Sequence, residues 1–372
     1  MNHSSPHHYS RAGREAGVSE SVVRAALAQS HLIEESGSFP ILSLGHLAHL
    51  SGAPYLYLRE IVQRVRDPYQ DISQRKKSGG TRPISAPEPV LMDVHRFILD
   101  RALASVPLHP ASFAYTRGRN IKQCAERHLG AKWLFKFDIT NFFGQVKEPS
   151  VFRVFRRQGY SRLVSLELTR ICTRAPLSKN LGSRSRYDVI PSYSVDQRGW
   201  LPQGAPTSGA LSNAVAAPLD HDLTSLADRH GLVYSRYSDD MFFSAGQGFS
   251  RPKAKALVRE VDRTVQRHRF LLHRKKTRVI PPGARHIVLG LLVDSGQVRL
   301  LPEFRRRVEV HIRGVGRFGL DSHVEHRGFR SMFSFISHVD GCLAFASSVE
   351  PDWAESCRVR WEAVLKDQGF PI

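Results

Sequence analysis

The spacing of apolar side chains divides the chain into stretches of helical and of strand period. Residues 1–38 are polar apart from a helical stretch over residues 20–28, and Glu34-Glu35-Ser36-Gly37-Ser38 before Pro40 reads as a tether. Leu42, Leu44, Leu47 and Leu50, then Leu56, Leu58, Ile61, Val62 and Val65, predict two amphipathic helices. Leu91, Val94, Phe97, Ile98 and Ala102 mark another. Before it lies Arg75-Lys76-Lys77-Ser78-Gly79-Gly80-Thr81-Arg82-Pro83-Ile84, whose paired glycines predict a hairpin turn carrying cations. Residues 133–137 are largely aromatic and apolar, stop at Asp138 and resume at Phe142-Phe143, the pattern of a buried strand ending in an acid. Residues 175–200 read as a loop or insertion, and residues 211–226 have helical period. Leu232-Val233-Tyr234 and Met241-Phe242-Phe243 flank Ser238-Asp239-Asp240, which predicts two short strands joined by a tight acidic turn. Ser250 can cap a helix with Pro252 in its first turn and a stripe of Leu257, Val258, Val261 and Val265. Residues 287–293 read as a final strand, after which the chain becomes arginine-rich and helical.

Composition narrows the class. The chain has 372 residues, 41% of them hydrophobic, which excludes a disordered tail and, at roughly 150 residues per domain, predicts two or three compact units. Its four cysteines form no CxxC pair, so neither a zinc ribbon nor a disulfide lattice is expected. No apolar run reaches the ~20 residues of a bilayer span, and Met1 precedes polar, His-rich sequence. The expectation is a cytoplasmic protein without a membrane partner. The net charge of +20 favours a polyanionic partner such as nucleic acid, although solubility alone would also explain it.

Adjacent carboxylates at a turn between buried strands repel each other and need a positive partner. A divalent ion answers this need, since Mg²⁺ takes hard oxygen ligands from one or two carboxylates plus phosphates. Asp138 supplies a third acid if its strand lies beside the hairpin. Such a trio suits two-metal phosphoryl transfer, in which one ion activates a hydroxyl and the other neutralises the leaving pyrophosphate. A lone Asp-Asp turn would instead be a solvated hairpin.

Tyr237-Ser238-Asp239-Asp240 resembles the YxDD box of reverse transcriptases. Phe137-Asp138-Ile139-Thr140-Asn141-Phe142-Phe143 resembles their first palm motif. Leu201-Pro202-Gln203-Gly204-Ala205-Pro206-Thr207-Ser208, followed by Leu211-Ser212-Asn213, resembles the second, in the same order and spacing. The likeness extends through Lys76 to Pro87, Phe113-Ala114-Tyr115-Thr116-Arg117-Gly118-Arg119, His273 to Thr277 and Leu289-Gly290-Leu291, covering about residues 40–300. It implies an α+β right-hand polymerase: an N-terminal helix and tether (1–40), fingers (41–135), a palm with an antiparallel sheet (136–300) and a helical thumb (301–372).

The resemblance also implies roles. Asp138 and Asp239 would ligate two Mg²⁺ ions, with Mn²⁺ as an alternative, Asp240 as the weaker participant and the Ile139 carbonyl assisting. Lys76, Lys77 and Arg82 would sit over the incoming triphosphate, and Gln203 and Gly204 against the nascent base pair. Lys276 fits the position that protonates departing pyrophosphate. Phe143, five residues after Asp138, would fill the space of a ribose 2′-hydroxyl and so select dNTPs; it also reads as a core phenylalanine, a role Phe142 could take instead. Arg117, Arg119, Tyr237, Arg305, Arg306, Arg313 and Arg317 would contact nucleic acid, though any single arginine there also reads as a solvated side chain. Gly314-Val315-Gly316-Arg317-Phe318-Gly319 matches GxGxxG without the acidic residue or βαβ unit of a dinucleotide site.

Size and plan resemble those of bacterial retron and related defence-associated enzymes. Cys124-Ala125-Glu126-Arg127-His128 and Val288-Leu289-Gly290 stand where retrons typically carry NAxxH and VTG. The expected activity is RNA-directed DNA synthesis from a primer hydroxyl with dNTPs. The expected partners are a cognate structured noncoding RNA, the DNA product and its RNA–DNA hybrid, and an effector protein. An untemplated or protein-primed polymerase and a catalytically silent RNA-binding scaffold are the competing readings.

Overall fold

The computed structural model describes residues 6–75, 79–175 and 198–370; Lys76, Lys77 and most of the predicted insertion lie outside them. The chain separates into two compact units. One comprises Met1–Thr116, Ile139–Asp222 and Asp262–Leu272, the other Arg117–Asp138, Leu223–Val261 and His273–Ile372.

In the first unit the two predicted amphipathic helices are Leu44–Ser51 and Tyr55–Val62, burying Leu44, Leu47, Leu58, Ile61 and Val62. Ser43 caps the former by accepting the His46 N–H at 3.0 Å. The basic hairpin pairs strand β1 (Tyr69–Arg75) with β2 (Thr81–Pro87), Gln74 opposite Arg82. The N-terminal segment departs from expectation. Helix Pro6–Glu15 precedes a helix that runs over Glu20–Glu35 rather than ending near residue 28. Tertiary packing extends it: Ile33 is completely buried, and the Ser36 hydroxyl beyond it lies 3.0 Å from the Gln158 carbonyl.

The second unit holds a four-stranded antiparallel sheet in the order β4-β5-β3-β6, with β3 at Trp133–Asp138, β4 at Val233–Tyr237, β5 at Asp240–Ala245 and β6 at Arg278–Ile280. The nearly continuous apolar runs of β3 and β5 are explained by burial on both faces: Phe135, Phe137, Phe242 and Phe243 are all fully buried. The stretch predicted as one strand over residues 287–293 is instead two, β7 (Ile287–Val288) and β8 (Leu291–Leu292), with β9 (Arg299–Leu300) beside β8. The chain reverses where Leu289 and Gly290 adopt φ values of 51° and 81°.

Helices Pro302–Phe318, Leu320–His326, Met332–Val349 and Pro351–Asp367 complete this unit around Val308, Ile312, Phe335, Leu343 and Trp361. The GxGxxG match is a helix end. A Cβ on Gly314 would meet the His323 ring at 2.3 Å, and Gly319 leaves the helix at φ 84°. Helix Met332–Val349 is long and apolar enough to cross a membrane by composition; here it buries Phe335, Val339, Leu343, Ala346 and Val349 along one stripe.

Candidate active site

Strand register assembles the acids. In the antiparallel ladder Asp138, last residue of β3, lies opposite Asp240, first residue of β5. Across the other ladder Tyr237 pairs with Asp240, so Ser238 and Asp239 form a two-residue turn. Ser238 takes φ 59°, at the turn position where tight hairpins favour glycine. The fully buried Arg236 supports it, its guanidinium donating to the Ser238 carbonyl at 3.0 Å. Sequence reasoning passed over this arginine.

Alternation along a strand places Lys136 on the face of Asp138, and register places Asp240 diagonally across from it. The Lys136 ammonium accordingly lies 3.0 Å from an Asp240 oxygen and 5.5 Å from the Phe242 ring centre. Burial raises the Asp240 pKa and the nearby Asp239 and Asp138 charges add to that rise, while Lys136 opposes it. Asp138 is itself buried, and its Oδ2 accepts from Lys276 Nζ at 2.9 Å. Lys276 reaches it from the short turn Arg274–Lys276, which is tied down where the His273 N–H donates to the Asp138 carbonyl at 2.7 Å. The next residue, Ile139, bridges Leu272 through the flanking Asp138 carbonyl and Thr140 N–H, leaving its own carbonyl out of that pairing.

His128 braces the same sheet from within. Its two ring nitrogens lie 2.7 Å from the Ser235 hydroxyl of β4 and 2.8 Å from the Ser244 hydroxyl of β5, and Cys124 Sγ is 3.3 Å from Ser235. Burial pushes the His128 pKa down to about 3, so the ring is neutral and one nitrogen donates while the other accepts.

Strand β3 ends at Asp138 as expected, and Phe142 and Phe143 follow it. Asn141 turns left-handed at φ 45°, and the two rings sit on the short helix Phe142–Gln145. Phe142 is buried 5.6 Å from the Phe270 ring, whereas Phe143 is half-buried 6.0 Å from Tyr115. The Gln203 carbonyl accepts the Ser85 N–H at 2.7 Å. Gly204 follows at φ 128°, where a Cβ would stand 2.8 Å from the Ser85 carbonyl oxygen. Only glycine allows that approach of loop to hairpin. Arg82 is exposed on β2.

Of the expected nucleic-acid contacts, Arg117, Arg306, Arg313 and Arg317 are exposed, Arg119 and Tyr237 half-exposed. Arg313 pairs with Glu309 at 3.2 Å. Arg305 is committed to the fold: it bridges to Glu350 and lies over the Trp353 ring.

Among the described residues no group of three or more His, Cys, Asp and Glu side chains stands ready to hold a metal ion. Asp138 and Asp240 are instead met by the ammonium groups of Lys276 and Lys136. Asp138, Asp239 and Asp240 offer the hard oxygen donors that Mg²⁺ takes, and this ion completes its shell with water and substrate phosphates rather than in a protein cage; to ligate it, Asp138 and Asp240 would exchange their ammonium partners for the ion.

The family model for reverse transcriptase (RNA-dependent DNA polymerase) matches residues 74–300. The chain is 32% identical over 318 residues to the retron Mx65 reverse transcriptase of Myxococcus xanthus, covering 84% of this chain and 67% of that protein. It is 31% identical over 279 residues to the retron Mx162 reverse transcriptase of the same organism, covering 71% and 56%. To the retron Ec86 reverse transcriptase of Escherichia coli it is 29% identical over 259 residues, covering 70% and 72%.

Proposed function

The chain belongs to the reverse transcriptase family, as a bacterial RNA-directed DNA polymerase of the retron type with that family's right-hand fold, and from this premise we propose how its residues act. A primer hydroxyl is extended with dNTPs on a structured noncoding RNA encoded beside the enzyme. Asp138 and Asp239 hold two Mg²⁺ ions, and Asp240 assists. The observation that carries this reading is the ladder that sets Asp138 against Asp240, with Asp239 in the adjoining turn.

When bound, the ions supply Lewis-acid activation of the hydroxyl and neutralise charge on the pyrophosphate. Lys136 opposes the rise that burial gives the Asp240 pKa and so favours the ionised carboxylate. Lys276, more than half exposed on its short turn, gives a proton to the leaving pyrophosphate. Phe143 occupies the space a 2′-hydroxyl would need, Gln203 and Gly204 form the floor beneath the nascent pair, and Arg82 with Lys76 and Lys77 neutralises the triphosphate. The biological role is anti-phage defence, in the cytoplasm and with an effector protein.

The test uses purified protein with its co-purifying RNA, Mg²⁺ and labelled nucleotides. The product should resist RNase and yield to DNase, and Asp239→Asn should lower its rate by roughly 10³-fold. Incorporation of ribonucleotides alone, or full activity of Asp239→Asn, would overturn the reading. Sequencing the product and the bound RNA identifies the template.

A further inference from the structure

The ring assigned to sugar selection has a second ring behind it. Tyr115 lies with its centroid 6.0 Å from that of Phe143 and its plane tilted by 58°. Core packing does not account for Tyr115, which is 53% exposed. Its backbone is at φ 56°, a left-handed conformation that a bulky side chain adopts only when its surroundings over-determine it.

Those surroundings come from one face of helix Pro206–Arg229. Gly209 lies beneath the tyrosine, and a Cβ there would stand 2.5 Å from Tyr115 Cγ. One turn on, the buried Asn213 donates its side-chain N–H to the Ala114 carbonyl at 2.6 Å, anchoring the residue before the tyrosine. The Thr116 hydroxyl donates to the same carbonyl at 3.2 Å from the other side. Glycine under the ring and asparagine at its root thus hold a strained, exposed tyrosine against Phe143.

We propose that Tyr115 is a specificity-determining residue that locks Phe143 in place, so that discrimination between deoxyribo- and ribonucleotides belongs to the pair of rings. The proposal rests on the reading of Phe143 as the sugar-selecting residue. Steric exclusion of a 2′-hydroxyl requires a ring that cannot rotate away. Phe143 is only half-buried on a four-residue helix; besides its chain neighbour Phe142, whose ring lies 5.7 Å away, the ring packed against it is Tyr115 at 6.0 Å, which would hinder its rotation.

The experiment measures kcat/KM for a dNTP and its matching rNTP on a primed RNA template, with the full chain. Tyr115→Ala should lower the dNTP:rNTP ratio by roughly 3- to 10-fold, chiefly through better rNTP use, the scale of one aromatic pair. Tyr115→Phe should keep the ratio within about twofold, because the ring and not the hydroxyl faces Phe143. Gly209→Ala, which displaces the ring but leaves it present, should shift the ratio in the same direction as Tyr115→Ala, and it tests the idea should that variant fold poorly. The double variant Tyr115→Ala/Phe143→Ala should match Phe143→Ala alone. If Phe143→Ala relaxes selection while Tyr115→Ala and Gly209→Ala leave it intact, Tyr115 is not part of the gate and the sugar reading survives. If Phe143→Ala leaves the ratio unchanged, the sugar reading itself fails and takes this proposal with it. Additive effects in the double variant would also overturn the coupling of the two rings.

Discussion

Replacing Gly204 with alanine tests whether the loop after Leu201 and Pro202 touches the β1–β2 hairpin as closely as the structure indicates. Two effects combine. At φ 128° any side chain strains the backbone, which costs about 1–3 kcal/mol. The new methyl would also stand 2.8 Å from the Ser85 carbonyl oxygen and 2.9 Å from Ile84 Cγ2, and backbone cannot yield as a flexible side-chain tip can. Overpacking of this kind adds about 1–3 kcal/mol. The expected loss is therefore about 2–6 kcal/mol, and relief of the clash would break the 2.7 Å hydrogen bond from Ser85 to Gln203. Gly231→Ala is the matched control: it is also left-handed, at φ 64°, but a Cβ there meets nothing within 4 Å, so only about 1–2 kcal/mol is expected. Urea unfolding monitored by tryptophan fluorescence compares the two. Primer extension should show Gly204→Ala losing roughly 10- to 100-fold in kcat/KM for dNTP, because Gln203 moves with the loop, while Gly231→Ala stays within about twofold. Equal destabilisation by the two substitutions, or unimpaired dNTP use by Gly204→Ala, would refute the close approach.

Two buried titratable groups give pH signatures of opposite sign. His128 is held near pKa 3 against an ordinary 6.5, so the unfolded chain binds a proton that the folded chain refuses. Its contribution is complete above pH 6.5 and fades as pH falls toward 3. Between pH 7.5 and 5 the stability advantage over His128→Gln should shrink by about 2 kcal/mol in urea titrations; a constant difference would contradict a neutral buried ring. Burial pushes the Glu167 pKa up to about 7, and its Oε2 has no hydrogen-bond partner among the described residues. Here folding favours the protonated form, so stability is lost as pH rises from about 4.5 to 7. Glu167→Gln should therefore gain up to about 3 kcal/mol over the wild type on going from pH 4.5 to 8.5, and no pH-dependent gain would show that the carboxyl is solvated.

Much of this molecule is written locally. An aromatic strand that stops at an acid, a hairpin with two acids at its turn, and capped amphipathic helices are each set by neighbours within a few residues. They were legible without coordinates because alternation, helical period and turn chemistry act at that range. The same locality exposed Asp138, Asp239 and Asp240 as candidates. Expectations failed where distant contacts overrode local pattern. The N-terminal helix runs on to Glu35 because Ile33 finds a core. The apolar run after His286 folds back at Leu289 and Gly290 although its composition reads as one strand.

Only the tertiary structure decided what the acids meet. Lys136 reaches Asp240 because strand register sets them on one diagonal, and register depends on pairing residues about a hundred positions apart. The same holds for His128 between Ser235 and Ser244, and for Arg305, whose charge is taken by Glu350 although its sequence context is that of its exposed neighbour Arg306. Tyr115 gave no signal beyond its place in a motif; the glycine beneath it and the asparagine beside it lie on a helix nearly a hundred residues later. Residue type determines what chemistry a side chain can do, and short-range pattern determines the element that carries it. The partner across the fold determines whether that chemistry is spent on structure or left for substrate, because charge and packing act through space and not along the chain.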